Sequence, residues 1–179
     1  MLIPEALITE AAACVQRLQQ QGLKVSFAES CTGGLLAFVF SCVPGVSNVL
    51  FSSVVTYAIR SKHSILGVPQ QEIDKYGVVS EEIAGMMAEN VLKTLEDVDI
   101  AVSITGIAGA TAHFTSQAPA VMDPETGVVH IGLAKRGSKA QTFRHDWEHL
   151  TRFEVQKAVV QKAIGLLALA ASSQAQLGC

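Results

Sequence analysis

KVSFAESCTGGLLAFVF, from Lys24 to Phe40, holds a strand, a turn and a helix in seventeen residues. Lys24 to Ala28 alternates like a short strand, and Leu35 to Phe40 is apolar enough for a buried helix. Ser30, Cys31 and Thr32 therefore fall on the turn, where a hydroxyl is free to act as a nucleophile. Gly33 and Gly34 carry no side chain, so backbone N–H groups there can approach an anion or a developing oxyanion at the positive end of the helix. Acyl transfer needs that arrangement. Ser and Thr are equally ordinary helix caps, and the turn alone does not choose between the two readings.

Outward from this stretch the chain alternates between the two periodicities. Pro4 to Gln21 reads as an amphipathic helix closed by Gly22. Beyond the helix ending near Val43, Pro44 and Gly45 mark a turn, and Phe51 to Ala58 is β-rich. Short helices are expected over Ser61 to Leu66 and from Pro69 to Tyr76. Ser80 then caps a longer helix running to about Leu95, with Glu81 and Glu82 in its first turn. Asp99 to Thr105 is the next strand, and its exit, Gly106 to Ala110, is a tight glycine loop of the kind that brings backbone to phosphate. Ala110 to Thr126 has no sustained period and reads as a long loop. Val128 to Ala134 and Gln141 to Trp147 pair around KRGSK as a hairpin, and Thr151 with Glu154 forms a capping box for a last helix from Arg152 to about Ala171. This order predicts a single three-layer α/β domain over residues 1–179, with a mixed sheet flanked by helices.

Composition narrows the functional classes. With 49% hydrophobic and 16% charged residues, the 179-residue chain can pack a sizeable core. The net charge of −3 gives no basic footprint, so no nucleic-acid partner is expected. No basic, apolar and cleavage-site sequence opens the chain, and no apolar run is long enough for a membrane span, so a cytoplasmic protein is expected. Cys14, Cys31, Cys42 and Cys179 show no metal or disulfide spacing. Cys31 is a secondary nucleophile candidate, because a thiol at a helix N-terminus can have a lowered pKa. His145 and His149 are four apart, but the first lies in a strand-like run and the second in the turn after it, so no metal site is expected.

A serine nucleophile needs a base, and no histidine stands at a telling position. Lys62 is the better candidate, since burial lowers a lysine pKa until the neutral amine accepts a proton; a surface lysine early in a short helix is the alternative. Tyr57 either packs at a strand edge or hydrogen-bonds within a site. Thr105 and the loop Gly106, Ile107, Ala108 and Gly109 either bind a phosphate or ribose through N–H groups, or form a tight turn needing glycine dihedrals. Glu29 orients Lys62, binds a ribose hydroxyl, or answers the helix dipole.

AESCTGG at 28–34, VVTY at 54–57 with Lys62 five residues on, GVVSEE at 77–82 and SITGIAG at 103–109 occur in one order. Together they resemble the C-terminal domain of the competence/damage-inducible protein A (CinA) family, which includes stand-alone nicotinamide-nucleotide amidases, over roughly Pro4 to Leu169. The resemblance implies a hydrolase of NAD metabolism and pyridine nucleotide salvage. It would convert nicotinamide mononucleotide to nicotinic acid mononucleotide and ammonia without metal or cofactor, as a homo-oligomer. It implies Ser30, Lys62 and Tyr57 as catalytic residues. Glu29, Thr32, Gly33, Gly34, Thr105 to Gly109 and Arg152 are implied as substrate-binding, with Arg152 placed to pair with phosphate. The chain departs from the family pattern at Ala110, where proline is usual, at Ile59, where asparagine is frequent, and at Gln156, where a second arginine tends to occur. Those departures motivate a second reading, a family member that binds a nucleotide or protein partner without turnover. A nucleotide-dependent oxidoreductase is disfavoured, because neither glycine loop carries the dinucleotide fingerprint.

Overall fold

Five strands form one mixed sheet in the order β2-β1-β3-β4-β5. The computed structural model describes residues 3–109 and 125–172. Within them β1 is Val25–Glu29, β2 Leu50–Val55, β3 Ile100–Gly106, β4 Val128–Lys135 and β5 Gln141–Asp146. β1 lies parallel to both β2 and β3, whereas β3–β4 and β4–β5 are antiparallel. All of β1 is buried, as befits a central parallel strand covered on both faces. β2 alternates instead, and among the described residues its outer edge is open, with Phe51 and Val55 exposed.

Helices cover both faces, giving the three layers expected. On one side lie α1 (Glu5–Gln20), α2 (Leu35–Ser41) and α6 (Arg152–Ser172), packed over Phe27, Val102 and Ile131. Phe27 and Phe40 meet edge to face there, 4.9 Å between ring centroids. On the other side α3 (Ile59–Leu66), α4 (Gln70–Tyr76) and α5 (Glu81–Thr94) bury Leu66, Ile73, Ile83 and Met87 against Ala28, Ala101 and Ala134. Small residues let α5 sit close on this face. A side chain at Gly132 would run into the Ala84 carbonyl, which instead accepts from Ser103 Oγ.

The expected elements are all present, with shifted ends. Ser80 caps α5 as read, its Oγ accepting from Ile83 N–H at 3.3 Å. β2 stops at Val55 rather than Ala58: Thr56 N–H makes the last rung to β1, donating to the Glu29 carbonyl at 2.8 Å, and Ala58 already caps α3. Glu154 draws both the N–H and the hydroxyl of Thr151 to one carboxylate oxygen, at 2.9 and 2.6 Å, so only the glutamate half of the expected capping box is made. Residues 110–124 of the expected long loop lie outside the described residues. From β1 the chain passes to β2 on one side and then returns to β3 on the other. The carboxyl end of β1 is therefore the point where strand order reverses, which opens a crevice in sheets of this kind.

Candidate active site

Ser30 stands at that crevice, one residue past the end of β1. Gly33 and Gly34 follow with φ of 62° and 97°, the left-handed region that a side chain disfavours, and they fold the chain back into α2. The turn is held by the residue before the serine. Glu29 is fully buried, and its carboxylate accepts from Thr32 Oγ1 at 2.7 Å, Gly34 N–H at 3.1 Å and Leu36 N–H at 3.1 Å on one oxygen. The other oxygen accepts from Ala37 N–H at 2.9 Å and Ser53 Oγ at 3.4 Å. The carboxylate thus satisfies the unpaired N–H groups at the start of α2 and opposes the helix dipole.

Among the readings of Glu29 the helix dipole is the one made, and the substrate-binding expectations for the Thr32 hydroxyl and for Gly33 and Gly34 are corrected. Glu29 reaches neither Lys62 nor the crevice; it is a helix cap delivered from a strand. Thr32 is its partner through the hydroxyl. The N–H groups of Gly33 and Gly34 are not open to an anion either, since Gly33 N–H donates to the Ser30 carbonyl at 3.0 Å and Gly34 N–H to Glu29. Among the described residues the turn N–H groups without a backbone or carboxylate acceptor are those of Ser30, Cys31 and Thr32, and that of Cys31 faces its own sulfur.

Lys62 arrives from the opposite side, on α3. Its side chain is only 2% exposed, a rare placement for lysine, and Nζ lies 3.0 Å from Ser30 Oγ while donating to the Thr56 carbonyl at 2.8 Å. Among the described residues no carboxylate pairs with it. Burial holds its pKa below the usual lysine range, with proximity to the Cys31 thiol opposing in part. A neutral Lys62 has a lone pair, and Ser30 then becomes the donor across the same contact. The Thr56 carbonyl, not Tyr57, fixes the amine. Tyr57 is 60% exposed at the rim, so an orienting bond from its hydroxyl to Lys62 is not made.

Ser30 and Lys62 open into a cavity of about 190 Å³. Tyr57 and Ile59 form one wall, Val78 and Val79 another, and Thr105 to Ala108 with Arg152 the third. Gly109, Glu29, Thr32, Gly33 and Gly34 do not line it. A larger cleft of about 420 Å³ between β4, β5 and the end of α6 holds no paired nucleophile and base. Thr105 spends its hydroxyl on the Val78 carbonyl at 2.7 Å, joining the β3 wall to the segment before α5. Its neighbour Gly106 has no positive φ. It is glycine because a Cβ there would collide with Val128 and Val129 of β4, and Gly109 because one would strike Arg152. Close packing, not turn dihedrals, sets both.

Cys31 sits beside the serine but is buried, and desolvation pushes its thiol up to about 12, so it is held as an unreactive thiol. His145 is on β5, stacked on Trp147 at 5.0 Å, and does not share a helical face with His149. No cluster of three or more His, Cys, Asp or Glu side chains suited to a metal occurs among the described residues. Sequence reasoning missed Thr56, Val78, Val79 and Gln156. The first two act through backbone carbonyls, which leave no trace in residue type. Gln156, in the second turn of α6, donates from Nε2 to the Cys31 carbonyl at 2.8 Å; its only signal was that the family tends to place an arginine there.

The fold and site define a class, an α/β protein with a buried serine–lysine pair at the carboxyl edge of a mixed sheet. Comparison with known proteins names it. The CinA C-terminal domain model matches residues 8–170, and the chain belongs to that family. A CinA-like protein from Endomicrobium trichonymphae is 40% identical over 159 residues, covering 89% of this chain and 35% of that protein. A putative competence-damage inducible protein from Caldicellulosiruptor saccharolyticus is 44% identical over 122 residues, covering 68% and 28%. The chain thus spans only about a third of these curated relatives. Among solved structures, the competence/damage inducible protein CihA from Agrobacterium tumefaciens superposes with a TM-score of 0.82 at 30% identity, covering 96% of this chain and 98% of that one. A CinA superfamily protein from Escherichia coli gives 0.78 at 26%, with 94% of each chain covered. No described helix is long and apolar enough to cross a membrane.

Proposed function

We propose that this protein is a metal-independent amide hydrolase acting on the carboxamide of a pyridine mononucleotide, nicotinamide mononucleotide, to give nicotinic acid mononucleotide and ammonia. One observation carries the reading: a serine hydroxyl 3.0 Å from a lysine amine that is buried and, among the described residues, has no carboxylate partner. Structural lysines seldom meet those conditions, whereas a lysine acting as base requires them.

In this mechanism Ser30 Oγ attacks the carboxamide carbon as its proton passes to neutral Lys62 Nζ. The N–H groups of Cys31 and Thr32 take the developing oxyanion. Lys62 returns the proton to the departing nitrogen, the C–N bond breaks, and ammonia leaves an ester on Ser30. Water then attacks the ester, again losing its proton to Lys62, and the protonated amine restores the serine hydroxyl as the acid departs. Tyr57 and Ile59 pack against the ring at the rim, and Arg152 faces the phosphate. The enzyme works as a homo-oligomer in the cytoplasm.

The deciding experiment incubates the purified protein with nicotinamide mononucleotide and follows ammonia and the acid product together. Equal release of both, abolished by Ser30→Ala with the fold retained, supports the reading. Binding of the nucleotide without ammonia release would replace it with that of a non-catalytic binding member.

A further inference from the structure

The first two turns of α6 reach both the exit of β3 and the nucleophile turn, and they do so by different side chains. Arg152 and Gln156 are four residues apart and therefore share a helix face. Arg152 donates from its guanidinium to the Gly109 carbonyl at 3.1 Å, and its own backbone lies where a side chain at Gly109 would be. Gln156 donates to the Cys31 carbonyl at 2.8 Å, in the segment 125 residues away that carries the serine. One helix thereby braces the β3 exit against the nucleophile turn.

We infer that Gln156 is a positioning residue for the nucleophile turn, setting the aim of the Cys31–Thr32 peptide rather than adding to the stability of the fold. This rests on the amidase reading of the Ser30 site. The peptide unit is planar and trans, so pinning the Cys31 carbonyl to α6 also fixes the opposite direction of the Thr32 N–H. That N–H is among those in the turn left for an oxyanion, since Glu29 and the Ser30 carbonyl occupy the next two. The glutamate holds the turn from the α2 side, and the peptide before it is held by Gln156. An amide serves here because it donates without charge. A second guanidinium beside Cys31 would place a further cation near Lys62, push its pKa down further and weaken it as a base for the Ser30 proton.

The test compares the full-length wild type with Gln156→Leu, which keeps bulk without a donor, and Gln156→Arg, which restores one. Three rates are read: hydrolysis of nicotinamide mononucleotide, labelling of Ser30 by a fluorophosphonate, and amide hydrogen exchange over residues 30–34. Gln156→Leu should lower kcat by about 10²-fold, the scale of a small misplacement of reacting groups, with KM unchanged. It should slow labelling in proportion and speed exchange of the turn, while the melting temperature barely moves. Gln156→Arg should recover the exchange protection and most of kcat, with its pH profile displaced downward. Wild-type kcat and labelling in Gln156→Leu overturn the inference, as does equal impairment of both variants. If the wild type is labelled yet hydrolyses no nucleotide, the substrate reading fails and the labelling ratio judges the brace. If it does neither, exchange alone judges it, and unaltered exchange in Gln156→Leu rejects it. Should Gln156→Leu not fold, Gln156→Glu replaces it as the variant lacking a donor.

Discussion

Lys62 is the residue on which chemistry and stability pull in opposite directions. Its pKa is lowered by burial, so the native protein binds fewer protons there than the unfolded chain does between the lowered value and about 10.4. Its contribution to stability is therefore fully present above the unfolded value and lost as pH falls through the native one. Catalysis follows the same proton, because only the neutral amine accepts from Ser30. The kcat/KM profile should rise with pH along a limb centred below the ordinary lysine range. Lys62→Met should abolish turnover while leaving the melting temperature near that of wild type, since the methionine keeps the apolar stem and loses about 1 kcal/mol in hydrogen bonding while relieving the burial of an amine. A rate–pH curve for the wild type and melting curves for both proteins check this. Cys31→Ala separates the adjacent candidates: with the thiol near 12 there is almost no thiolate at neutral pH, so kcat should stay at the wild-type scale. Loss of turnover with an intact fold would transfer the nucleophile role to sulfur.

Among the elements, α2 depends most on a residue outside itself. Seven residues long and with Gly34 at its N-cap, it has no side-chain cap of its own and relies on the Glu29 carboxylate. Glu29→Gln keeps the shape but turns an NH2 toward buried N–H or O–H donors. It should cost about 3 kcal/mol, the scale of leaving such donors unmet, measured as a shift in urea midpoint at unchanged m-value. Activity should fall with it, because the turn that carries Ser30 loses its support. The strand, turn and helix around Ser30 were legible in sequence because alternation, paired glycines and an apolar run are local signals. The cap was not, because its donors lie up to eight residues along the chain and meet the carboxylate only after two left-handed glycines reverse it. Lys62 presented the same difficulty from the other side. In sequence it is a polar residue between Ser61 and His63; its burial comes from β2 ending early and α3 folding over the end of β1.

For the molecule as a whole, the order of elements was readable because the periodicity switched cleanly between 2 and 3.6, and the sheet order was not, because strand neighbours are chosen by packing. The histidines add a whole-molecule consequence. His130 on β4 and His145 on β5 both have lowered pKa values, chiefly through burial. Around His130, Arg144 and His145 add to the lowering and Glu81 and Glu82 oppose it; Lys162 adds to it at His145. Each imidazole is neutral in the native protein where the unfolded chain has begun to protonate. Stability should therefore be held above about pH 6.5 and decline as the solution is acidified through the lowered native values, then rise again on the alkaline side as Lys62 deprotonates in the unfolded chain. Urea midpoints taken from pH 5 to 10 should trace two upward steps, and His130→Asn should shrink the acidic one. A flat response through pH 6.5 would mean that these imidazoles are solvated.

The open side of β2 also determines how samples of this protein are lost. A strand with an unpaired row of N–H and C=O groups is a template for another strand, and Phe51 and Val55 give an arriving chain apolar purchase. Among the described residues this template is already exposed in the native fold, so association along it needs no disturbance of the core. Inactivation is then set by strand-to-strand aggregation, with a half-life that shortens as concentration rises and an apparent melting point that moves with scan rate.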